Sequence, residues 1–213
     1  ACLRTAARIA IPAAVERVTL SAAQIAATRI VSPLGTIAVA ANSLAVTAES
    51  LCYMPGYGIS AAATTLVGQS LGAGHKGRAR RFAWLSTALG MAVMGLTAVL
   101  MYAGAPWLFR ILTPDATVRA LGVQVLRIEA FAEPLFAASI VAAGALRGAG
   151  DTLVPSVLNL VSMWGVRITL AAVLAPQFGL PGVWFAMCFE LCVRGALFLV
   201  RLLRGRWLQK ARL

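Results

Sequence analysis

The sequence contains few acidic residues and a single histidine. Only 7 of its 213 residues are Asp or Glu, against 19 Lys and Arg, and 12% of the chain is charged. Soluble domains are about 25% charged and about 45–50% apolar, whereas 60% of this chain is hydrophobic. This composition excludes an ordinary soluble domain and predicts an integral membrane protein.

Patterns typical of catalysis or metal binding are also missing from the sequence. The lone histidine, His75, lies in a basic segment, and the chain has no HExxH, GxSxG or Walker sequence and no cysteine–histidine ligand spacing. Three of the four cysteines lie in apolar runs, which argues against a disulfide framework. The sequence therefore predicts a protein that is not an enzyme and that has neither a metal centre nor a bound cofactor.

Basic residues are in excess, but the excess lies in the connections between apolar runs. Residues 67–81, VGQSLGAGHKGRARR, join two such runs and contain Lys76, Arg78, Arg80 and Arg81 without an acid. Most of the net charge of +12 falls on the same side of the predicted membrane as this segment. Since Lys and Arg are retained on the cytoplasmic side, we expect both ends of the chain to be cytoplasmic and no nucleic acid to be bound.

Apolar stretches long enough to cross a bilayer occur six times. A membrane helix needs about 20 mostly apolar residues. The second stretch is too long for one straight crossing, and Pro55 with Gly56 and Gly58 predicts a kink or hinge near its middle. The fold class is therefore all-α, a polytopic membrane protein. Its predicted helices cover residues 9–31, 38–71, 82–105, 119–146, 153–174 and 182–203.

The connections between these helices carry turn-forming residues. Residues 106–118 and 176–181 are expected to form external connections. At residues 147–151, RGAGD, glycines are expected to end one helix and Asp151 to cap the next. Arg147 and Asp151 are thus assigned to a second cytoplasmic loop.

Glu16 is the leading candidate for a functional group within the membrane. Ionisable side chains are costly there, so each one suggests a function. Arg17, Ser21, Gln24 and Thr28 follow at helical spacing and form one polar stripe, which must face water or other protein. Glu16 could bind a proton, a cation or a cationic substrate; alternatively, it forms an ion pair with an arginine of another helix.

Glu49 is a second candidate. It precedes Pro55 by six residues, and a proline frees backbone carbonyls that can help to coordinate a cation. The alternative is a structural ion pair with Arg29 of the preceding helix.

Three further acids lie in the last apolar stretches. Glu129 and Glu133 are four residues apart and would lie on one helix face. Two like charges there would raise the pKa of one carboxyl, which suits proton exchange. Alternatively, the nearby Arg127 neutralises them. Glu190 and Arg194 are also four apart, in the order that favours an ion pair within one helix.

Three stretches of the sequence carry a family resemblance. They are PAAVERV at residues 12–18, AESLCYMPGYGISAAATTLVGQSLGAG at residues 48–74 and GALRGAGDTLVP at residues 144–155. Together and in this order they resemble the C-terminal half of a MATE (multidrug and toxic compound extrusion) transporter, with most similarity to the bacterial NorM/DinF-like branch.

The resemblance implies a two-lobed fold of twelve helices, of which this chain forms the C-terminal six-helix lobe, without the N-terminal lobe. It implies a secondary antiporter of the bacterial inner membrane that exports cationic, amphipathic drugs or toxic compounds in exchange for H⁺ or Na⁺. Two other roles stay open. One is a lipid-linked oligosaccharide flippase of the same wider superfamily, and the other is a half-unit that assembles with a partner lobe.

The resemblance also suggests roles for particular acids. Glu16 matches an acidic position implicated in cation coupling and substrate binding, and Glu49 matches the acid that precedes the Met-Pro-Gly kink. An aspartate of the family's fourth helix in this lobe corresponds to Phe136, and Glu133, one turn earlier, could substitute for it. With Arg17 and Gln24 of the polar stripe, these three acids are the predicted cation- and substrate-binding residues.

Overall fold

The computed structural model consists of helices and short turns in the part of the chain that it describes, residues 2–205 and 207–210, with side chains described for residues 14, 18–205, 207 and 208. A 3₁₀ turn, Ser32–Leu34, follows the first helix, and a π-helical segment, Ser162–Ile168, connects the sixth helix to the seventh. This architecture confirms the all-α fold class. The helices are α1 (Cys2–Val31), α2 (Thr36–Gly72), α3 (Lys76–Leu112), α4 (Ala116–Ala130), α5 (Glu133–Gly148), α6 (Leu153–Val161), α7 (Thr169–Arg204) and α8 (Trp207–Lys210).

Three helical stretches among the described residues are long and apolar enough to span a membrane: Thr36–Gly72, Lys76–Leu112 and Leu153–Arg204. α2 and α3 have 37 residues each, so each is about 55 Å long. Gly179 has φ 64° and ψ −144°, which is not helical, and it divides α7 into two parts. The turn predicted at residues 176–181 is therefore reduced to this one glycine.

α3 is longer than the predicted helix 82–105 at both ends. It continues through Pro106 to Leu112, so the external connection predicted at residues 106–118 is wrong and covers only residues 113–115. The turn after Pro106 buries Phe109 completely, against Gly122 of α4. Burial of this ring offsets the backbone hydrogen bond that a proline cannot donate.

The predicted helix 119–146 consists of two helices. α4 and α5 are separated by a two-residue turn at residues 131–132. Pro134 explains the break, because it has no N–H to donate to the carbonyl of Ala130 four residues earlier. Glu129 and Glu133 thus lie on either side of a helix break rather than on one continuous helix.

α2 contains Pro55 but continues through it without a break in the helix. Gly56 is buried against Met94 of α3, whereas Gly58 is exposed. The helix break that Pro55 could have caused is absent, and a hinge role for Pro55, Gly56 and Gly58 stays a prediction.

Two similar glycine turns end α2 and α5. Gly74 and Gly150 have φ +77° and +80°, and in each turn the next residue donates its N–H to the carbonyl five residues earlier, at 2.8 and 3.0 Å. This geometry is typical of left-handed helix C-caps and confirms the predicted helix ends. The predicted capping role of Asp151 is wrong, because the N-cap residue of α6 is Thr152.

α5 lies at the centre of the helices and is buried at every position from 137 to 146. Its contact with α2 is close because two small residues, Gly144 and Gly148, face Ser60 and Thr64, and a Cβ at either glycine would collide with α2. The Ser60 hydroxyl donates to the Ile140 carbonyl and the Thr64 hydroxyl to the Gly144 carbonyl, each at 2.9 Å. Small residues and hydroxyl groups are typical of helix contacts within membranes.

Candidate functional site

The polar stripe predicted on α1 lies at the surface of this chain. Ser21, Gln24 and Thr28 are exposed, and the Thr28 hydroxyl donates to the Gln24 carbonyl oxygen at 3.0 Å. Glu16 and Arg17 belong to α1, but their side chains lie outside the described residues. The described part of the stripe therefore faces the surroundings of the chain and not its interior.

Glu49 is buried on α2, with 7% of its surface exposed. The positive charges that act on it belong to Arg167, in the π-helical segment, and Arg194, in the second part of α7. Arg29 is exposed and forms no ion pair with the residues whose side chains are described. The predicted alternative pairing of Glu49 with Arg29 is therefore wrong, and its cations come from distant parts of the sequence.

Glu129 and Glu133 are completely buried beside the break between α4 and α5. Within the described part of the chain, neither carboxylate has a hydrogen-bond partner. Arg127, which was the alternative source of a neutralising charge, donates its Nε–H to the Tyr102 carbonyl oxygen at 3.3 Å instead. A charged carboxylate without such partners is costly inside a membrane unless it binds a proton or a cation.

Glu190 is completely buried on α7 but has two partners. Its Oε1 atom accepts a hydrogen bond from the Ser162 hydroxyl and lies 3.3 Å from Arg194 Nε. The predicted ion pair between Glu190 and Arg194 is thereby confirmed. The Arg194 guanidinium also lies 5.4 Å from the ring centroid of Phe136 on α5, so this pair joins two helices.

Arg167 enters the same region from the π-helical segment. Its Nη2 atom donates to the Met187 sulfur at 2.6 Å, and its charge acts on Glu49 and Glu129. A π-helical turn changes the direction of the side chains that follow it and is often found at functional sites. The apolar sequence around Arg167 contains no pattern that predicts this turn.

Six buried or half-buried residues therefore form one electrostatically connected group, the acidic cluster, with contributions from α2, α4, α5, the π-helical segment and α7. Glu129 interacts with all three other acids, and Glu133 with Glu49. The carboxylates outnumber the guanidinium groups by four to two, so the fully ionised cluster has a negative excess. Within the described part, no three acids, cysteines or histidines lie close enough together to hold a metal ion. The members are Glu49, Glu129, Glu133, Glu190, Arg167 and Arg194.

Sequence reasoning found all four acids and the pairing of Arg194 with Glu190, but it missed the action of Arg167 and Arg194 on Glu49. Arg167 and Arg194 are 118 and 145 residues away from Glu49 in sequence, so no local spacing connects them. The available indication was their position inside apolar runs, where a cation needs a counter-charge.

The predicted loop residues Arg147 and Asp151 lie outside this cluster. Arg147 is exposed, whereas Asp151 is buried and accepts a hydrogen bond from Arg201 Nη2 at 2.5 Å. The ion pair attaches the turn after α5 to the end of α7. Trp207, which is fully buried beside Leu202, continues this contact into α8.

A helical membrane protein with several acids buried among its helices has the features of an ion-coupled membrane transporter. Comparison with known proteins gives the family. The family model described as MatE matches residues 12–173, and the chain therefore belongs to the MatE family of membrane transporters. Membership confirms the predicted family resemblance and the prediction that this protein is not an enzyme.

The similar proteins are longer than this chain. A probable multidrug resistance protein NorM of Thermotoga maritima is 31% identical over 209 residues, which are 96% of this chain and 44% of that protein. A protein of the same name from Brucella suis is 35% identical over 201 residues, 91% of this chain and 43% of its own length. The Vibrio cholerae MATE transporter VcmN in its bent form superposes with a TM-score of 0.90 at 17% identity and covers 98% of this chain and 47% of that chain. The chain thus spans less than half the length of these relatives.

Proposed function

We propose that this chain is one six-helix lobe of a multidrug antiporter that exports cationic, amphipathic compounds in exchange for H⁺ or Na⁺. The names of the NorM relatives support multidrug resistance as the biological role. Their greater length supports a second lobe as the missing partner, with this chain as the C-terminal one. We place the assembled transporter in the bacterial inner membrane with both ends of this chain cytoplasmic.

The observation that carries the proposal is the acidic cluster. Its excess of carboxylates over arginines provides negative charge at a depth where only a proton, a metal cation or a cationic substrate can compensate it. Glu129 and Glu133 have no hydrogen-bonded partner among the described residues that would hold them permanently in the charged state. Carboxylates without such partners can gain or lose a bound proton or cation when the site opens to one side of the membrane or the other.

Exchange follows from competition for these carboxylates. A proton or sodium ion that binds Glu49 or Glu133 removes the negative charge that attracts a cationic drug, and the drug is released. When the ion leaves on the other side, the charge returns and the next drug molecule can bind. Arg167 and Arg194 limit the negative excess, so that neither the ion nor the drug is held too tightly.

Glu16 is assigned the entry position of this pathway. The motivating observation is its place in the same helix as the exposed residues Ser21, Gln24 and Thr28. In the complete transporter such a stripe would line the cavity between the lobes, where a drug is accessible from water. Arg17 and Gln24 would then contact polar groups of the substrate.

The test is acid-to-amide substitution in the complete transporter, measured as efflux of a cationic dye from proteoliposomes under an imposed pH or Na⁺ gradient. Glu16→Gln, Glu49→Gln and Glu133→Gln should each reduce ion-driven efflux by about tenfold or more, within the usual range of coupling free energies between two ligand sites. Asp115→Asn is the matched control, because this exposed acid lies in the loop before α4 and should leave efflux unchanged.

Counterflow of the dye without an ion gradient separates coupling from folding. A variant that still exchanges dye for dye but no longer responds to the gradient has lost ion coupling alone. Wild-type gradient-driven efflux in all three variants would overturn the proposal. A response to the Na⁺ gradient only, or to the pH gradient only, identifies the coupling ion.

A further inference from the structure

A groove between α3 and α4 contains three arginines and no acid along its lining. One cavity of about 350 Å³ lies near the loop, between Arg110 of α3 and Arg119 of α4. A second, of about 390 Å³, is lined by Arg127 together with the rings of Tyr102, Phe131 and Phe185. Neither cavity belongs to the acidic cluster.

The two cavities lie in line along the same pair of helices. On α3, Tyr102, Pro106 and Arg110 are four residues apart, and on α4 the lining residues recur at the same interval. Residues four apart lie above one another on a helix face. We refer to the two successive cavities together as the α3–α4 groove, which is basic near the loop and apolar further along. The lining residues at this interval are Arg119, Val123 and Arg127 of α4 and Phe131 of the turn that follows it.

Arg127 is the cation at the transition from basic to apolar lining. Its Nε–H donates to the Tyr102 carbonyl oxygen at 3.3 Å, and its guanidinium carbon lies 5.0 Å from the centroid of the Tyr102 ring. Phe131 contacts the same ring edge-on, with the centroids 5.8 Å apart. Among the described residues, no acid forms an ion pair with Arg127, and its two Nη groups have no acceptor. Arg127 is half-buried, so its two Nη groups are open to an anion from outside the chain.

The length of α3 gives the depth of this arginine. Hydrocarbon about 30 Å thick is crossed by about 20 helical residues, and 20 residues counted from Phe82, just after the basic segment, end beside Tyr102. If the hydrocarbon begins at Phe82, the guanidinium of Arg127, which is hydrogen-bonded to Tyr102, would lie at the opposite boundary, next to the lipid phosphates. Arg110 and Arg119 lie two turns further out, at the level of the headgroups.

We propose that the α3–α4 groove binds an anionic glycerophospholipid of the kind of phosphatidylglycerol. Its phosphate pairs with the Nη groups of Arg127, since a guanidinium can bind two phosphate oxygens at once. The glycerol headgroup extends towards Arg110 and Arg119. One acyl chain lies on Phe131 and Phe185, whose rings are 72% and 56% exposed in this chain.

The experiment uses the complete transporter, purified in detergent and stripped of lipid, with synthetic phosphatidylglycerol or phosphatidylcholine added back and bound lipid counted by native mass spectrometry. The wild-type protein should retain one phosphatidylglycerol in preference to phosphatidylcholine. Arg127→Gln should weaken this retention about tenfold, because a charge-assisted contact is lost. Arg119→Gln should weaken it about fivefold or less, since Asp115 already acts on that arginine.

Arg80→Gln is the matched control, an exposed arginine at the other end of α3. Retention by Arg127→Gln equal to that of the wild-type protein would overturn the proposal, as would an equal loss in Arg80→Gln. Should Arg127→Gln fold poorly, Arg119→Gln and the preference for phosphatidylglycerol over phosphatidylcholine decide the question. A wild-type protein that shows no such preference also contradicts it.

Discussion

Buried acids of two kinds occur in this chain, and they differ in what surrounds them. Glu190 and Asp151 have arginine partners, Arg194 and Arg201, and Glu190 also accepts a hydrogen bond from a serine hydroxyl. The other kind, represented by Glu129 and Glu133, is at least as deeply buried but has no hydrogen-bond partner among the described residues.

We interpret the buried acids with arginine partners as structural and those without as candidates for a functional role. A buried acid with a close arginine connects two helices, and its charge is fixed by that partner. A buried acid without one contributes nothing to helix association that a neutral side chain would not also contribute. In the proposed antiporter such an acid would bind a ligand that comes and goes.

The largest expected effect concerns the pair formed by Glu190 and Arg194. Glu190→Gln leaves the Arg194 guanidinium buried without its carboxylate, and loss of one partner from a buried pair typically costs about 3 kcal/mol or more. Glu129→Gln removes a charge that has no hydrogen-bonded partner, so it should leave the free energy of unfolding unchanged or slightly higher. Both can be measured as shifts in the unfolding midpoint in mixed detergent micelles.

The comparison between the two variants is informative because the substitutions are chemically identical. If Glu129→Gln destabilises the protein as much as Glu190→Gln, then Glu129 has a structural partner and the distinction between the two kinds of acid fails. If Glu190→Gln were as stable as the wild-type protein, the distinction would also fail, because the partnered acid would then not stabilise the fold.

A smaller effect is expected at Asp151. Its partner, Arg201, lies near the end of α7 with part of its side chain exposed, so the guanidinium can turn to water when the acid is removed. We expect Asp151→Asn to lower the free energy of unfolding by about 1–2 kcal/mol, as for loss of a hydrogen bond to a charged group. The double variant with Arg201→Gln should cost less than the sum of the two single changes. Additive losses would mean that the two residues do not interact in the membrane.

Local sequence patterns predict the parts of this fold that depend on local chemistry. The glycine turns at Gly74 and Gly150 and the pair between Glu190 and Arg194 involve neighbours within five residues, and the sequence predicts all of them. The length of α3 and the partners of Glu49 depend on residues far away in the chain. Phe109 extends α3 by packing against α4, and Arg167 acts on the charge of Glu49 from a π-helical turn that has no sequence pattern. For the same reason the sequence identifies the buried acids but, apart from Glu190, does not show which of them have partners.

The smallest effect concerns Asp115, an exposed acid whose partners belong to the backbone. Its Oδ1 atom accepts hydrogen bonds from the N–H groups of Val118 and Thr117, at 3.1 and 2.7 Å, at the start of α4. These bonds favour the ionised form and hold the pKa of Asp115 below its ordinary value. A carboxyl whose pKa is lower in the folded protein stabilises the fold at a pH above its unfolded pKa of about 3.9. This stabilisation is lost as the pH falls through the lower, folded value.

Asp115→Asn retains a good N-cap side chain but cannot titrate. Between pH 6 and pH 3 the thermal midpoint of the wild-type protein should therefore fall slightly further than that of the variant. Parallel acid dependence in the two proteins would show that a neutral cap holds α4 equally well, and that exposed acids here resemble the unpartnered buried ones in adding nothing to the fold.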